Sequence, residues 1–350
     1  MASDPQPTPR ELGYRMPPEW APHRATWLTW PRPGSSSFGG REERVEPALA
    51  RLVRILAQDE EVRLCVWDAK AERSVRRRFE EAGGVPDNVH FHHFPAYEPW
   101  CRDHGPIFVA REATPRLAAV DWEYNAWGGK YPPYDLDNEI PRRIAEFRGC
   151  PRFEPRMVLE GGAIDVNGAG SLLATESCLL NPNRNPGMDR AAIEKKLRDF
   201  LGVDQILWLG RGIEGDDTDG HVDDLARFVS ADTIVAAVET NRSDPNFEPL
   251  RENLERLKRM RSFSGKRFQI VELPMPAPVW EQGVRLPAAY LNFYIANEKV
   301  IVPVFGDRRD EEAVAALEAL FKPRRVEALD CREIIWGLGA AHCLTQQEPL

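Results

Sequence analysis

The sequence predicts an α/β protein, and three observations support this class. Segments with the apolar pattern of strands and segments with the apolar spacing of helices follow one another along the whole chain. Thirty prolines and 25 glycines in 350 residues indicate many turns between short elements. A strand–strand–helix–strand unit that recurs about every 70 residues fits this spacing, although no repeat is identical in sequence.

The elements are predicted in chain order from these patterns. Residues 41–59 are predicted to form an amphipathic helix, because their apolar residues recur three or four positions apart. The stretch AAYLNFYIANEKVIVPVF, residues 288–305, predicts a hairpin that turns at Asn297 and Glu298. Strands are predicted at residues 62–68, 117–124, 171–175, 205–209, 233–238 and 268–273. Further helices are predicted at residues 189–201, 247–260 and 310–321.

The domain organisation is predicted to be simple. Residues 1–15 are polar and contain prolines, so we expect a flexible N-terminal tail. No linker of low complexity follows, and residues 16–350 are therefore predicted to form a single domain.

The composition excludes several classes of protein. A hydrophobic fraction of 42% without an apolar run of membrane-spanning length, and without a signal peptide, predicts a cytoplasmic protein with no membrane partner. Six scattered cysteines in such a chain are expected to be free thiols and not disulfides or a zinc site. The net charge of -9 argues against nucleic acid and suits a cationic ligand, although solubility alone also accounts for it.

Four polar stretches lie where strands are predicted to begin or end: EPWCRDHGPIF, VLEGGAIDV, EGDDTDGHVDDLARF and GAAHCLTQQ. If a strand begins at His221, then His221 and Asp223 share one of its faces; a solvated acidic loop is the simpler alternative. A calcium loop aligned on Gly220 fails, because Ala226 stands where the bidentate Glu is needed. These stretches are the candidates for binding and catalysis.

Cys343 lies seven residues from the end of the chain. A lone cysteine is more often a small buried apolar residue than a nucleophile, and a nucleophile needs a partner such as His221 to favour the thiolate. GLGAAH does not match a dinucleotide-binding loop, because His342 stands where the third glycine is needed. His90 and His92 share a strand face and could ligate a metal, but an edge strand with polar outward residues explains them better.

Taken together, these stretches resemble the agmatine deiminases of the guanidine-modifying (pentein) superfamily. The resemblance runs from GYRMPPEWAPHRATWLTWP, residues 13–31, to the end of the chain. Its blocks include WCRDHGP, NAWGGKYPPYDLDN, LEGG, ESCLLNPNRNP, DDTDGHVDDLARFV, YLNFYIAN, VIVPVFGD and HCLTQQ.

The resemblance implies a five-bladed β/α propeller of pseudo-fivefold ββαβ modules, with the active site in a central channel. It implies that Cys343 attacks the guanidinium carbon of agmatine, giving N-carbamoylputrescine and ammonia for putrescine and polyamine biosynthesis. Asp103 and Asp223 then clamp the guanidinium, His221 is the general acid and base, and Glu160 orients His221.

The resemblance also implies further contacts and partners. Trp100, Trp127 and Gly339 lie in matching blocks and are expected to contact the substrate. No cofactor or metal is expected, the partner is a small cationic guanidine, and a homodimer or larger homo-oligomer is expected.

The sequence departs from the family pattern at four positions. Arg24 replaces an acid, His104 follows the catalytic aspartate where Thr is common, and Leu338 and Ala340 stand in the glycine-rich approach to Cys343. If Arg24 faced the channel, it would disfavour a second positive charge and attract a carboxylate.

Those departures leave alternatives to agmatine. The first alternative is a deiminase of free arginine, C-terminal arginine or a guanidino acid, and an amidinotransferase is a weaker one. A non-catalytic guanidine-binding protein is the alternative from another class, but it has no use for a nucleophile.

Overall fold

The computed structural model describes residues 6–350, and it contains both helices and strands throughout, so the predicted α/β class is confirmed. In chain order, the strands are β1 His23–Thr29, β2 Glu61–Cys65, β3 Val89–His92, β4 Ile107–Ala110, β5 Leu117–Val120, β6 Arg152–Phe153, β7 Ile164–Val166, β8 Ser171–Thr175, β9 Gln205–Leu209, β10 Ala226–Phe228, β11 Thr233–Val238, β12 Gln269–Pro274, β13 Val279–Glu281, β14 Val284–Leu286, β15 Tyr294–Ile295, β16 Lys299–Val304, β17 Arg325–Asp330 and β18 Thr345–Pro349. The helices are α1 Glu42–Leu56, α2 Ala69–Glu81, α3 Cys101–His104, α4 Ala126–Gly129, α5 Ile140–Arg148, α6 Glu176–Leu179, α7 Arg190–Leu201, α8 Phe247–Arg259, α9 Asp310–Leu320 and α10 Ala341–Leu344. Four 3₁₀ turns are Asp137–Glu139, Gly161–Ala163, Val222–Asp224 and Ile334–Gly337.

Five sheets of the described chain share one strand pattern. In four of them, β4-β5-β6, β7-β8-β9, β10-β11-β12 and β15-β16-β17, the middle strand is antiparallel to the strand before it and parallel to the strand after it. In the fifth sheet, β18-β1-β2-β3, β1 is antiparallel to β18 and parallel to β2. A helix separates the two parallel strands in every case, as a parallel crossover requires.

Most of the long predicted elements agree with the structure. The strands predicted at residues 171–175, 205–209 and 233–238 have those bounds, and the predicted hairpin turn lies between β15 and β16. The helix predicted from residue 189 begins at Arg190, because the Asp189 side chain accepts a hydrogen bond from the backbone N of Ala192 at 2.8 Å and caps the helix. The strands predicted at residues 62–68 and 117–124 end earlier, at Cys65 and Val120.

The histidine pair of β3 lies on an edge strand, as the simpler interpretation of VHFHHF predicted. The ring of His92 packs edge-on against Phe147 with 4.5 Å between their centroids. Burial lowers the pKa of His92 to about 4, so the ring is neutral at physiological pH. Its role in the structure is therefore packing.

Both ends of the described chain are fixed to the sheets. β18 pairs with β1, with Thr345 opposite Leu28, so Cys343 does not lie in a free tail. Near the other end, Tyr14 is buried and Arg15 forms a β-bridge with Ala110. The predicted tail boundary at residue 15 is therefore wrong for these two residues, because the tyrosine ring has an apolar site to fill; residues 1–5 lie outside the described residues.

The core is made of the apolar faces of the sheets and of the helices that cover them. Helix α1 buries the stripe that its spacing predicted: Val45, Leu49, Leu52, Val53 and Leu56. Each such side chain contributes roughly 1.5–3 kcal/mol when fully buried. Of the helices in residues 6–350, none combines the length and apolar character that crossing a bilayer requires.

Candidate active site

The predicted catalytic residues lie in short turns that directly precede the first strand of a sheet. Asp103 is in α3 before β4, and Cys343 is in α10 before β18. Glu160 and His221 each precede a 3₁₀ turn, before β7 and β10, and Asp223 lies within the second turn. Helix α10 contacts α3, which contacts the turn after Glu160, which contacts the turn after His221. The sheets therefore bring all five residues, distant in sequence, to one buried site.

Asp103 is held as an acceptor by groups on both of its carboxylate oxygens. The Nε1 atom of Trp127 donates to Oδ2 at 3.0 Å, and the backbone N of Gly162 donates to Oδ1 at 3.1 Å. The Nδ1 atom of His221 lies 3.8 Å from Oδ1. Burial raises the pKa of Asp103 to about 6, against the effect of His221, so most of this carboxyl is ionised at neutral pH.

His221 is placed by its backbone and charged by its surroundings. Its backbone N donates to Asp216 Oδ2 and to Thr218 Oγ1, both at 3.1 Å, which fixes the turn. Burial alone lowers the pKa of His221, but Asp103, Cys178 and the other acids around the ring outweigh burial and hold this pKa well above its usual value. The ring is therefore an imidazolium that can give a proton to a leaving group.

Glu160 is buried beside a second cation. Its Oε1 atom accepts a hydrogen bond from Nε of Arg184 at 2.7 Å, and Arg184 also pairs with Asp219. Its Oε2 atom has no hydrogen-bond partner. One oxygen of Glu160 is thus fixed, while the other remains available beside His221.

Cys343 is 6% exposed and is held by an amide side chain. Nδ2 of Asn292 lies 3.1 Å from Sγ, and Oδ1 of Asn292 accepts from the backbone N of Cys343 at 3.3 Å. Sγ lies 3.7 Å from Asp223 Oδ2. Burial, with the carboxylates of Asp223, Asp224 and Asp103, raises the pKa of the thiol well above its usual value. The free site therefore holds a thiol, and a bound cation is needed to favour the thiolate.

His342 links the turn that carries Cys343 to a buried ion-pair network. Its Nδ1 is 2.7 Å from Asp223 Oδ2, and its Nε2 is 2.7 Å from Glu19 Oε2. Burial alone would raise the pKa of both carboxyl groups. The hydrogen bond with His342 for Asp223 and the charge of Arg227 for Glu19 outweigh burial and hold the pKa of each carboxyl below its usual range. The ring of His342 therefore bridges the carboxylates of Asp223 and Glu19. Oδ1 of Asp223 keeps no partner and is free for a ligand.

Gly162 lies where these groups converge. A Cβ atom at this residue would stand 2.6 Å from His221 Nδ1, 2.9 Å from Asp103 Oδ1 and 3.1 Å from Asp223 Oδ2. The absence of a side chain at Gly162 therefore lets two carboxylates and a histidine approach one another closely.

A cavity of about 330 Å³ leads to Cys343 and Asp103. The three other predicted substrate contacts, Trp100, Trp127 and Gly339, line it, whereas Glu160, His221 and Asp223 do not. Further lining residues that the sequence analysis did not select are Ser36, Ser37, Tyr131, Asp217, Thr218, Glu281, Gln282, Val284, Leu286, Trp336 and Gly337.

Two of the four sequence departures lie away from this cavity. Arg24 is exposed at a bulge in β1 and does not line the cavity, so the condition under which it would attract a substrate carboxylate is not met. The physical reason is that β1 turns this side chain to solvent, near Glu61. Ala340 is buried but does not line the cavity either.

The other two departures lie at the site. Leu338 lines the cavity with φ of 69°, a left-handed conformation that costs a side chain more than it costs glycine. His104 is buried, and its Nε2 lies 3.1 Å from the carbonyl oxygen of Glu98. Burial lowers the pKa of His104 to about 4, so it adds no charge beside Asp103.

Four residues that organise the site were not predicted from the sequence: Glu19, Asn292, His342 and Arg227. Each lies inside a sequence block that was recognised, in PPEW, YLNFYIAN, HCLTQQ or DDLARFV. The sequence signal that could have identified Asn292 was a single polar residue within an otherwise apolar strand pattern.

Comparison with known proteins adds independent findings. A family model described as Porphyromonas-type peptidyl-arginine deiminase matches residues 15–349. An agmatine deiminase of Ectopseudomonas mendocina is 36% identical, over 98% of this chain and 97% of the relative. The solved agmatine deiminase of Enterococcus faecalis has a TM-score of 0.91 at 30% identity, covering 100% of this chain and 98% of that one. A C. jejuni agmatine deiminase solved with substrate bound has a TM-score of 0.87 at 31% identity, covering 96% of both chains.

Proposed function

The chain belongs to the Porphyromonas-type peptidyl-arginine deiminase family, and from that premise we propose that it is an agmatine deiminase. It hydrolyses the guanidinium of agmatine to N-carbamoylputrescine and ammonia, a step toward putrescine. Relatives named agmatine deiminase, which match almost the whole chain, support a hydrolase of carbon–nitrogen bonds.

The lining of the cavity is the observation that carries agmatine as the substrate. Among the residues that line it, the carboxylates are Asp103, Asp217 and Glu281, and none is Lys, Arg or His. Lys130 and Arg41 pair with the two outer carboxylates but do not line the cavity. An acidic lining favours a substrate with a cation at each end and disfavours the carboxylate of arginine.

The first half of the reaction forms a bond to sulfur. Asp103 and Asp223 hold the guanidinium nitrogens by charge-assisted hydrogen bonds, and the bound cation favours the thiolate of Cys343, whose proton passes to solvent. Sulfur adds to the guanidinium carbon to give a tetrahedral adduct. The carbon–nitrogen bond then breaks as the His221 imidazolium protonates the departing ammonia.

The second half of the reaction regenerates the free enzyme. The neutral His221 takes a proton from water, and the resulting hydroxide adds to the carbon of the amidino-thioether. The carbon–sulfur bond then breaks, the added hydroxyl loses its proton to form the urea, and the sulfur regains a proton. Glu160 stabilises the charged form of His221 in both halves. No step needs an oxidant or another co-reactant.

We also propose that the five sheets are the blades of a propeller around a pseudo-fivefold axis, with this cavity in the central channel. The repeated strand pattern supports this arrangement. So do the site residues, because each of the five sheets contributes a polar residue from the turn before its first strand, with Asn292 two residues before β15. The homo-oligomer and the cytoplasmic location remain predictions.

Ammonia release by the purified protein tests the proposed substrate. We expect release from agmatine, with a product in which one NH is replaced by oxygen, and little release from free arginine or a short guanidino acid. Release only from a carboxylated guanidine would keep the chemistry but reject agmatine. No release from any of the three would favour a binding protein.

Agmatine binding is predicted to depend on pH through Asp103. In a Cys343→Ser variant, which removes the chemistry, calorimetry should give a steady affinity above pH about 6, the pKa to which burial raises Asp103. Below that pH the carboxyl takes up a proton and loses its charge, so the affinity should fall by up to about tenfold per pH unit. An additional Asp103→Asn change should weaken binding and remove this dependence. An affinity that stays constant down to pH 5 would contradict the role of Asp103 as a clamp.

A further inference from the structure

Cys178 is a buried thiol that the proposed reaction does not use, and it lies beside two residues that the reaction does use. One ligand atom from each of Glu160, Cys178 and His221 lies within 4.8 Å of the other two. All three residues are buried, with exposures of 0%, 0% and 1%. A carboxylate, a thiol and an imidazole therefore meet in one small volume.

Several polar atoms in this volume have no hydrogen-bond partner. Both ring nitrogens of His221 and Oε2 of Glu160 are buried and have no hydrogen-bond partner. Buried polar atoms in folded proteins are nearly always satisfied, so such atoms need an explanation. Substrate binding explains part of this lack of partners. It does not explain the thiol of Cys178, because a guanidine has no need of a sulfur ligand at this position.

We propose that Glu160, Cys178 and His221 bind one Zn²⁺ ion, and that this ion inhibits the enzyme reversibly. Carboxylate, thiolate and imidazole are the ligand types that select zinc, and three protein ligands leave the fourth tetrahedral position for water. Binding releases two protons to solvent, one from the His221 imidazolium and one from Cys178, so that the thiolate and the Glu160 carboxylate together offset the charge of the ion.

The surroundings of the cluster suit a divalent cation. Oε1 of Glu160 is held at 2.7 Å by Nε of Arg184, which orients the carboxylate and leaves Oε2 for the ion. The charge of Arg184 is also balanced by Asp219. Asp103, whose Oδ1 lies 3.8 Å from His221 Nδ1, adds a further negative charge.

Inhibition follows from the ligands that the ion occupies, and this part of the inference depends on the proposed function. A lone pair of His221 that coordinates zinc cannot accept the proton of the attacking water. The ion also binds the Glu160 carboxylate, which then no longer stabilises the charged form of His221. Cys343 is not a ligand, so the nucleophile remains free while the general base is blocked.

Cobalt absorption tests the binding site without any reference to activity. Co²⁺ added to the full-length Cys343→Ser variant should give the near-ultraviolet sulfur-to-cobalt absorption band, and Zn²⁺ should displace it. The band should be absent in Cys178→Ser and retained in Cys150→Ser, the control for a thiol outside the cluster. If the unmodified protein shows the band and Cys343→Ser does not, the ion is bound by Cys343 and the proposal is overturned. If Cys178→Ser does not fold, the Cys343→Ser result decides alone.

Inhibition is tested separately with zinc chloride and agmatine. Zinc should stop ammonia release, a chelator should restore it, and the inhibiting concentration should rise by about 10–100-fold or more in Cys178→Ser, relative to the uninhibited rate of that variant. Cys150→Ser should be inhibited like the unmodified protein. Cobalt binding as predicted in a protein that releases no ammonia from any guanidine would reject the proposed function and keep the metal site. Activity without zinc inhibition would reject the inference and keep the function.

Discussion

Replacing Cys343 by serine is expected to abolish the release of ammonia from agmatine, with a loss of about 10,000-fold or more, as is usual when a covalent nucleophile is removed. The reason is specific to this site. The hydroxyl of serine is a far weaker acid than the thiol of cysteine. The carboxylates of Asp223, Asp224 and Asp103 also oppose the formation of another anion beside them. Only the charge of the bound guanidinium favours ionisation of the side chain at this position, and this charge is too small an effect to ionise a serine hydroxyl. Ammonia release with agmatine in excess measures the loss.

The fold of this variant should be preserved, because serine can keep the hydrogen bond from Nδ2 of Asn292. Cys150→Ser is the matched control, since Cys150 is half-buried and lies outside the site. That control should keep nearly full activity. Substantial turnover by Cys343→Ser would show that the reaction does not pass through a bond to sulfur.

Selective alkylation provides a second measurement of the same role. A haloacetamidine carries the cation that favours the thiolate, so it should label Cys343 faster than a neutral haloacetamide does, and agmatine should protect the thiol. Equal rates for the two reagents would indicate that cation binding does not control the thiol.

The positions of the strands and of the polar turns were largely predictable from the sequence, because they depend on local pattern. β8, β9 and β11 have the predicted bounds, since a continuous apolar run between turn residues specifies a buried strand. The turns that carry Asp103, His221 and Cys343 were selected because polar residues interrupt such patterns.

The contacts between these turns were not predictable from local pattern. The place of Cys343 depends on the pairing of β18 with β1, from opposite ends of the chain. The roles of Glu19 and Asn292 depend on partners that are remote in sequence: the Nε2 atom of His342 for Glu19, and the backbone N of Cys343 for Asn292. The exposure of Arg24 results from a bulge in β1 that no sequence signal indicates.

The resemblance to a known family supplied what local pattern could not, namely which polar residues act together. It did not identify Cys178, because a single cysteine in ESCLLNPNRNP carries no pattern of its own. Its position beside His221 and Glu160 became visible only when three turns were placed in space.

Replacing Gly162 by alanine is the second change with a large expected effect. The backbone conformation of this residue is open to any amino acid, so the variant should fold, but the added methyl group would meet His221 Nδ1 at 2.6 Å. Distances below 3.0 Å are not tolerated between such atoms, and Asp103 Oδ1 at 2.9 Å blocks the movement that would relieve the contact. Asp103 and His221 must therefore move apart to accept the methyl group. Displacements of about 1 Å in a site of this kind cost on the order of 100-fold in rate.

Two measurements separate this effect from a loss of folding. The thermal midpoint of Gly162→Ala should fall modestly, since overpacking costs about 1–3 kcal/mol, while kcat/KM for agmatine falls by about 100-fold or more. Gly210→Ala is the matched control, because its added Cβ would first meet the Asn253 side chain at 3.3 Å, outside the site. That control should lose stability to a similar or smaller extent and keep its activity within a few-fold. If Gly162→Ala is as active as Gly210→Ala, turnover does not need the close approach of Asp103, Asp223 and His221, and the proposed clamp is wrong.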